Sequence, residues 1–168
     1  MMRYFIGLGS NQGDRKRALK NALHMMAGSG LVLKKKSSIY QTEPVGPVRQ
    51  NWFLNQVVCS ESRVEAFEMI RLLRSIEISL GRLHTEPMGP RPIDLDILLA
   101  GQTIMKTEEL TIPHPEMHKR RFVLVPLAEI DPFLCHPVLK LTMKKLLQLC
   151  EDTSEVGLFE NGEMNFDS

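Results

Sequence analysis

Asp94 and Asp96 stand two residues apart inside the apolar run Ile93-Asp94-Leu95-Asp96-Ile97-Leu98-Leu99. In a strand, residues two apart share a face, so both carboxylates point the same way while Ile93, Leu95 and Ile97 point into a core. Two like charges side by side on a sheet repel. Either they lie on a solvated edge, or something cationic compensates them. Hard divalent ions such as Mg²⁺ take carboxylate oxygens together with phosphate oxygens. Arg91 lies three residues before the pair, Arg82 opens the same loop, and Lys119-Arg120-Arg121 follows the bend Pro113-His114-Pro115. Arginine suits phosphate because its planar fork binds two oxygens. Acids and arginines in this pattern point to a polyanion with a metal ion, against the plainer reading of a solvated basic turn and a polar strand face. His114 precedes His118 by four, but the flanking prolines exclude a helical metal pair. A lone His on a rigid bend is either a loop residue or a phosphate donor.

Several elements must hold these residues. A buried strand is expected over 3–9, closed by Gly9, with a turn over 9–13. A helix opens at Asp14 and carries Ala18, Leu19, Ala22, Leu23 and Met26 at helical spacing, and Gly28-Ser29-Gly30 stops it. Residues 31–41 alternate as a strand, 43–47 break it, and 52–60 form a third strand. A second helix spans about 64–80 with the stripe Ala66, Met69, Ile70, Leu73, Ile76 and Leu80. Glu77 falls on that stripe, so its carboxylate either reaches water past the edge or aims at a ligand. Residues 81–92, with two Gly and three Pro, form a long shaped loop. After the strand at 93–99 come a hairpin turn at Gly101-Gln102, the 113–115 bend, a kinked or divided element over 122–130, an amphipathic helix over 139–150, and a polar, frayed tail from Glu151. The order βαβ–βαβ predicts an α+β, ferredoxin-like split β-α-β core: a mainly antiparallel sheet with two helices on one face. The whole chain, 1–168, reads as a single domain with C-terminal additions.

Composition narrows the function. Charged residues make up 24% of the 168 and the net charge is +1. A nucleic-acid coat usually carries a clear basic excess. No apolar run approaches 18 residues, which predicts no membrane span. Cys59, Cys135 and Cys150 have no zinc spacing and are expected as reduced, packed thiols of a cytoplasmic protein. Gly7, Gly9 and Gly13 miss the dinucleotide fingerprint by one residue, and there is no P-loop. The glycines are expected to permit a tight turn and close packing.

Three blocks carry a family resemblance: Gly9-Ser10-Asn11 after the first strand, Gly89-Pro90-Arg91-x-Ile93-Asp94-Leu95-Asp96-Ile97, and Pro113-His114-Pro115 followed by Arg120-x-Phe122-Val123-Leu124-x-Pro126-Leu127. From about residue 3 to 135 the chain resembles the 6-hydroxymethyl-7,8-dihydropterin pyrophosphokinases of folate biosynthesis. The resemblance implies transfer of the terminal pyrophosphate of ATP to the pterin's hydroxymethyl oxygen, leaving AMP. It implies two Mg²⁺ on Asp94 and Asp96, with Arg82 and Arg91 as further catalytic residues. It gives nucleotide contacts to Arg74, Glu77, His84, Thr111, His114, Arg120 and the backbone at Ile97. Phe53 and Phe122 would stack on the pterin, with Asn55, Thr42 and the backbone near Val45 reading its edge. Asn55 fits on physical grounds too: it shares a strand face with Phe53, and its amide both donates and accepts. Partners are then small molecules, not nucleic acid or membrane, and a monomer suffices. The chain departs from the family pattern in the 81–92 loop. His84 stands where many members have Arg, and Pro87-Met88 stands where they have an Arg-Trp pair. The competing class is a non-catalytic ferredoxin-like module, which for RNA would need aromatics exposed on its sheet.

Overall fold

The computed structural model describes residues 1–82 and 89–159. The chain runs β1 (Met2–Ser10), α1 (Arg15–Gly28), β2 (Val32–Lys36), β3 (Tyr40–Thr42), β4 (Phe53–Ser62), α2 (Ala66–Ser79) and β5 (Asp94–Ala100). A two-stranded ribbon follows, β6 (Met105–Lys106) with β7 (Thr111–Ile112). A 3₁₀ turn at Met117–Lys119, α3 (Arg121–Ile130), α4 (Met143–Leu149) and β8 (Val156–Leu158) complete it.

The main sheet has the order β5-β1-β4-β3-β8, with β2 also on β4, and every pairing is antiparallel. β4 lies between β1 and the β2–β3 edge, and β1 lies between β4 and β5. That is the split β-α-β plan the element order predicts. α1 and α2 cover one face over Tyr4, Ile6, Leu8, Leu54, Val58, Leu95 and Ile97. These are the two helices expected on one face, and the C-terminal additions occupy the other. α3 and α4 cover part of the other face over Phe5, Val57, Cys59, Leu98 and Leu99, removing much of the open platform an RNA-binding sheet needs.

Five local expectations need correction. Residues 31–41 are two strands, because Ser37 leaves the ladder: its hydroxyl accepts from Val57 N–H and its carbonyl from the Gln56 amide. The 122–130 segment is one helix despite Pro126. Val123, Leu124 and Leu127 bury against the sheet, which offsets the lost hydrogen bond. The helix expected from 139 starts only at Met143, because Lys140 takes φ 59° and Thr142 caps the helix by accepting from Lys145 N–H. The tail forms a strand rather than fraying at its start: β8 pairs with β3, Val156 opposite Thr42. Gly101 makes a turn, but the strand after it pairs with β7, not with β5. Of the three cysteines, all free thiols, Cys59 is buried, Cys150 half-buried and Cys135 exposed.

Regular pairing places the acids, and one irregularity follows them. Asp94 pairs opposite Gly9 and Asp96 opposite Gly7, but Ile97 pairs with Ile6 while Leu99 pairs with Phe5, leaving Leu98 as an extra residue. Leu98 shares the α3 face with Asp94 and Asp96 by alternation, and this bulge turns Leu99 onto it as well. Leu95 and Ile97 remain on the α2 side and anchor the acidic half of the strand. Truncating Leu95, which is fully buried, to Ala should cost about 2–5 kcal/mol. Urea unfolding should show a lower midpoint at unchanged slope; an unchanged midpoint would deny this anchor.

Candidate active site

Glu77 organises the charged end of the site. It sits on the buried side of α2 with 2% of its surface exposed. Its carboxylate accepts from Arg74 Nη1 at 2.9 Å, from Arg82 Nη1 at 2.6 Å and from Leu95 N–H at 2.8 Å. Neither sequence reading of this acid foresaw that its oxygens would be spent on two arginines and a strand amide. A buried charge persists only when paired in this way. The same Arg82 nitrogen reaches Asp94 Oδ1 at 2.6 Å, and Arg91 Nη1 reaches Asp94 Oδ2 at 3.3 Å. Two carboxylates facing Arg82 raise its pKa against the opposing effect of burial.

Asp96 is less well compensated. Its nearest cation is Arg74 Nη2 at 3.9 Å, and its side chain keeps 33% of its surface. Burial in the cavity, and then the neighbouring Asp94, push its carboxyl up to about 7. A carboxylate short of positive charge, on the same face as a second one, fits a hard divalent cation that completes its shell with water and phosphate oxygens. Among the described residues no three His, Cys, Asp or Glu side chains gather as a metal cage, so the remaining ligands would come from substrate.

Gly7 and Gly9 of β1 lie between these acids and β4, and their backbone is the floor of the site. A Cβ at Gly9 would stand 2.7 Å from Asn55 Oδ1 and 3.6 Å from the Phe53 ring. Asn55 donates its amide N–H to Thr42 Oγ at 2.6 Å, which leaves Oδ1 over Gly9 as an open acceptor. Glycine at position 9 thus makes room for the Asn55 amide at the cavity floor, a role beyond the turn and packing that the sequence implied.

The cavity over this floor measures about 270 Å³ and is lined by Gly9, Thr42, Glu43, Val45, Phe53, Asn55, Arg74, Arg82, Arg91, Asp94, Asp96, Arg120 and Phe122. A narrow extension of about 40 Å³ runs past Asp94 and Asp96 to Leu98, His114 and Arg120. Each aromatic ring carries a guanidinium: Arg91 lies 5.6 Å from the Phe53 centroid and Arg120 lies 5.7 Å from that of Phe122. His114 Nδ1 accepts from Glu116 N–H at 3.1 Å, so in the neutral ring the proton sits on Nε2. Burial, and then the Arg120 charge, lower its pKa, so it enters the site as a neutral donor.

The structure therefore gathers Asp94, Asp96, Arg74, Arg82, Arg91, His114, Arg120, Phe53, Phe122, Asn55, Thr42 and Val45 around one cavity. Glu77 stands behind it, holding two of the arginines. Ile97 points its side chain into the α2 core, and Thr111 lies on β7, away from the lining of either cavity. His84 falls outside the described residues. Two residues escaped the sequence reading. Glu43 lines the cavity beside Thr42. Asn11, 1% exposed, accepts from Arg91 N–H at 2.8 Å and donates to Gln50 Oε1 at 2.7 Å and to the Asn51 carbonyl at 3.0 Å. It ties both bordering loops to the end of β1. Only its place after Gly9-Ser10 hinted at this.

Paired carboxylates under a ring of arginines, opening on a slot between two phenylalanines, could take a phosphorylated group and a flat ring. Comparisons with known proteins give the family. The model of the 7,8-dihydro-6-hydroxymethylpterin-pyrophosphokinase family matches residues 5–132. The 2-amino-4-hydroxy-6-hydroxymethyldihydropteridine pyrophosphokinase of Bacillus subtilis is 45% identical over 127 residues, 75% of this chain and 76% of that protein. The enzyme of the same name from Methylorubrum extorquens is 40% identical over 135 residues, 80% and 85% of the two chains. Among solved structures, Plasmodium falciparum HPPK-DHPS with pterin and p-hydroxybenzoate has a TM-score of 0.71 at 18% identity. That match covers 88% of this chain but only 41% of the solved one, and it is a likeness of fold. The chain belongs to the 7,8-dihydro-6-hydroxymethylpterin-pyrophosphokinase family.

The raised pKa of Asp96 has a measurable sign. An unfolded Asp titrates near 3.9, the folded one at about 7. Between these values the folded protein holds a proton that the unfolded chain has lost, so stability falls as pH rises through that window. Above it the full penalty remains. In metal-free protein, Asp96→Asn should melt higher than wild type at pH 8, and the gap should shrink from pH 7 towards pH 4. A gap independent of pH in thermal melts with chelator would contradict the assignment.

Proposed function

We propose that this protein transfers the terminal pyrophosphate of ATP to the hydroxymethyl group of 6-hydroxymethyl-7,8-dihydropterin, giving AMP and the pterin diphosphate, in folate biosynthesis. The observation that carries the proposal is the Asp94–Asp96 pair on the floor of a cavity whose other side is the Phe53–Asn55–Phe122 slot. Family membership supports the reaction class.

The residues divide the work by position. Phe53 and Phe122 would sandwich the bicycle, each Arg now against a ring giving way to it. Asn55 Oδ1 would accept from a ring N–H, and Thr42, which receives the other end of the Asn55 amide, fixes that orientation. The backbone near Val45 would complete the edge. The pterin's hydroxymethyl oxygen would then face the acids. It attacks the β-phosphorus and gives up its proton to solvent, while the bond from that phosphorus to the bridging oxygen breaks and the oxygen leaves on AMP. Asp94 and Asp96 would hold Mg²⁺, two ions by the resemblance, which neutralises the triphosphate and aligns the incoming oxygen with the β-phosphorus. Arg82 and Arg91 would release Asp94 to the metal and turn their guanidinium groups to the transferring phosphates and the leaving AMP. Arg120 and the Nε2–H of His114 would hold phosphate oxygens in the narrow extension. Arg74 would contact the rest of the nucleotide where it extends from the cavity, Thr111, His84 and the Ile97 backbone would do so by the resemblance alone, and Glu77 would keep Arg74 and Arg82 in place.

Every one of these residues comes from one chain, so a monomer suffices. No helix among the described residues is long and apolar enough to cross a membrane. The partners proposed are small molecules alone.

Incubation with ATP, Mg²⁺ and the pterin should release AMP only when the pterin is present. Asp96→Ala should lower turnover by roughly 10²-fold or more, the scale for removing a metal ligand or a transition-state contact. ADP release, or turnover indifferent to Asp96, would reject the reaction. Gly9→Ala should raise the pterin KM by about tenfold or more, since the added methyl displaces Asn55 and part of the slot. An unchanged KM would place the pterin elsewhere.

A further inference from the structure

The family model stops at residue 132, yet the segment from Asp152 to Phe159 contacts two borders of the ring slot, the start of α3 and the Thr42–Glu43 stretch. Asp152 supplies the first contact. The residue in the capping position of α3, Arg120, has no side-chain hydrogen bond to the helix. Asp152 Oδ2 accepts from Arg121 N–H at 2.9 Å instead, and its Oδ1 accepts from Ser154 N–H at 2.9 Å. A carboxylate at a helix start satisfies an orphan donor and suits the helix dipole. Arg120 holds the capping position of α3 and Phe122 lies in its first turn, and both line the cavity.

The second contact is with the 43–52 loop at its start. Glu43 N–H donates to the Glu155 carbonyl at 3.1 Å, and Glu155 N–H donates to Glu43 Oε1 at 3.2 Å. Val156 pairs opposite Thr42. Thr42, Glu43 and Val45 are lining residues. The third link is indirect. Phe159 N–H donates to the Ile39 carbonyl at 3.0 Å, just before β3. The Arg15 guanidinium sits over the Phe159 ring, 6.0 Å from its centroid, and donates to the Trp52 carbonyl at the end of the loop at 2.9 Å. One short stretch thus holds the start of the loop, reaches its end through Arg15, and starts the helix opposite it.

We infer that the segment Asp152–Phe159 is a positioning element for the ring slot: it fixes Phe122 and Arg120 on one side and the Thr42–Val45 stretch on the other at the separation a flat bicycle needs. The inference rests on the pyrophosphokinase reading for the identity of the ring, and on geometry alone for the bracing. Asp152 and Phe159 touch no reacting atom and act only through the residues they hold. Burial pushes the Asp152 carboxyl up, but its hydrogen bonds outweigh this and hold it below the ordinary range, so the brace is charged at neutral pH.

The test uses full-length Asp152→Ala, Asp152→Asn and Phe159→Ala, with two readouts on each. Asp152→Ala and Phe159→Ala should raise the pterin KM roughly three- to tenfold and keep kcat within about twofold, the pattern of lost uniform binding. Asp152→Asn, which keeps an oxygen for Arg121 N–H, should return most of the KM. Backbone deuterium uptake should rise in 43–51 and 121–124 for Asp152→Ala. Uptake in the loop alone should rise for Phe159→Ala. A raised KM without faster uptake, or faster uptake with KM unchanged, overturns the inference, and so does a lower melting temperature with neither change. If wild type releases no pterin-dependent AMP, the pyrophosphokinase reading fails by itself, and deuterium uptake alone then upholds or overturns the bracing.

Discussion

The arrangement depends on one buried anion. Glu77 sits at the edge of the α1–α2 core, where an unpaired carboxylate would be untenable. Its three donors are therefore obligatory, and they come from three different parts of the chain: α2 itself, the start of the loop after α2, and the first half of β5. Satisfying that single charge docks α2 to β5 and parks two guanidinium groups beside Asp94 and Asp96. The cations of the site are held by the core's need to neutralise Glu77 as much as by the acids they face.

A second constraint comes from what β1 lacks. With glycine at 7 and 9, the central strand offers only backbone between the acids of β5 and the amide of β4. Strand spacing of about 4.8 Å then brings phosphate chemistry and ring recognition within one small molecule's length. Asn11, just beyond, joins the loops on either side to the same strand end. The static parts, floor and acids, belong to the sheet. The walls belong to loops and a helix start that are fastened to it by single side chains.

Much of this was legible in the sequence, for physical reasons that differ by residue. The strand period put Asp94 and Asp96 on one face, and the element order gave the split β-α-β sheet. Arg91 and His114 lie in the motifs, and the resemblance added Phe53, Asn55 and Arg82; all five do converge. What stayed hidden depends on tertiary contact. Glu77 on an apolar stripe signalled an exception, but its partners are distant in sequence. Ser37 left its strand because of hydrogen bonds to β4 that no local pattern encodes. Lys140 and Thr142 shortened α4 through a backbone conformation that propensity does not reveal. The residues after 151 look like a polar end because β8 is three residues long and gains its order only from the edge it joins.

The bulge in β5 has a wider meaning. An unbroken strand would tie every side chain from Asp94 to Ala100 to one alternation, so the acids could not be re-aimed without turning the apolar half inside out. The extra residue at Leu98 separates the two halves into independently addressable registers. The N-terminal half can answer to catalysis and the C-terminal half to packing under α3. A lineage can then rework the fit of α3 and α4 through Leu98 and Leu99 while inheriting the acidic pair untouched.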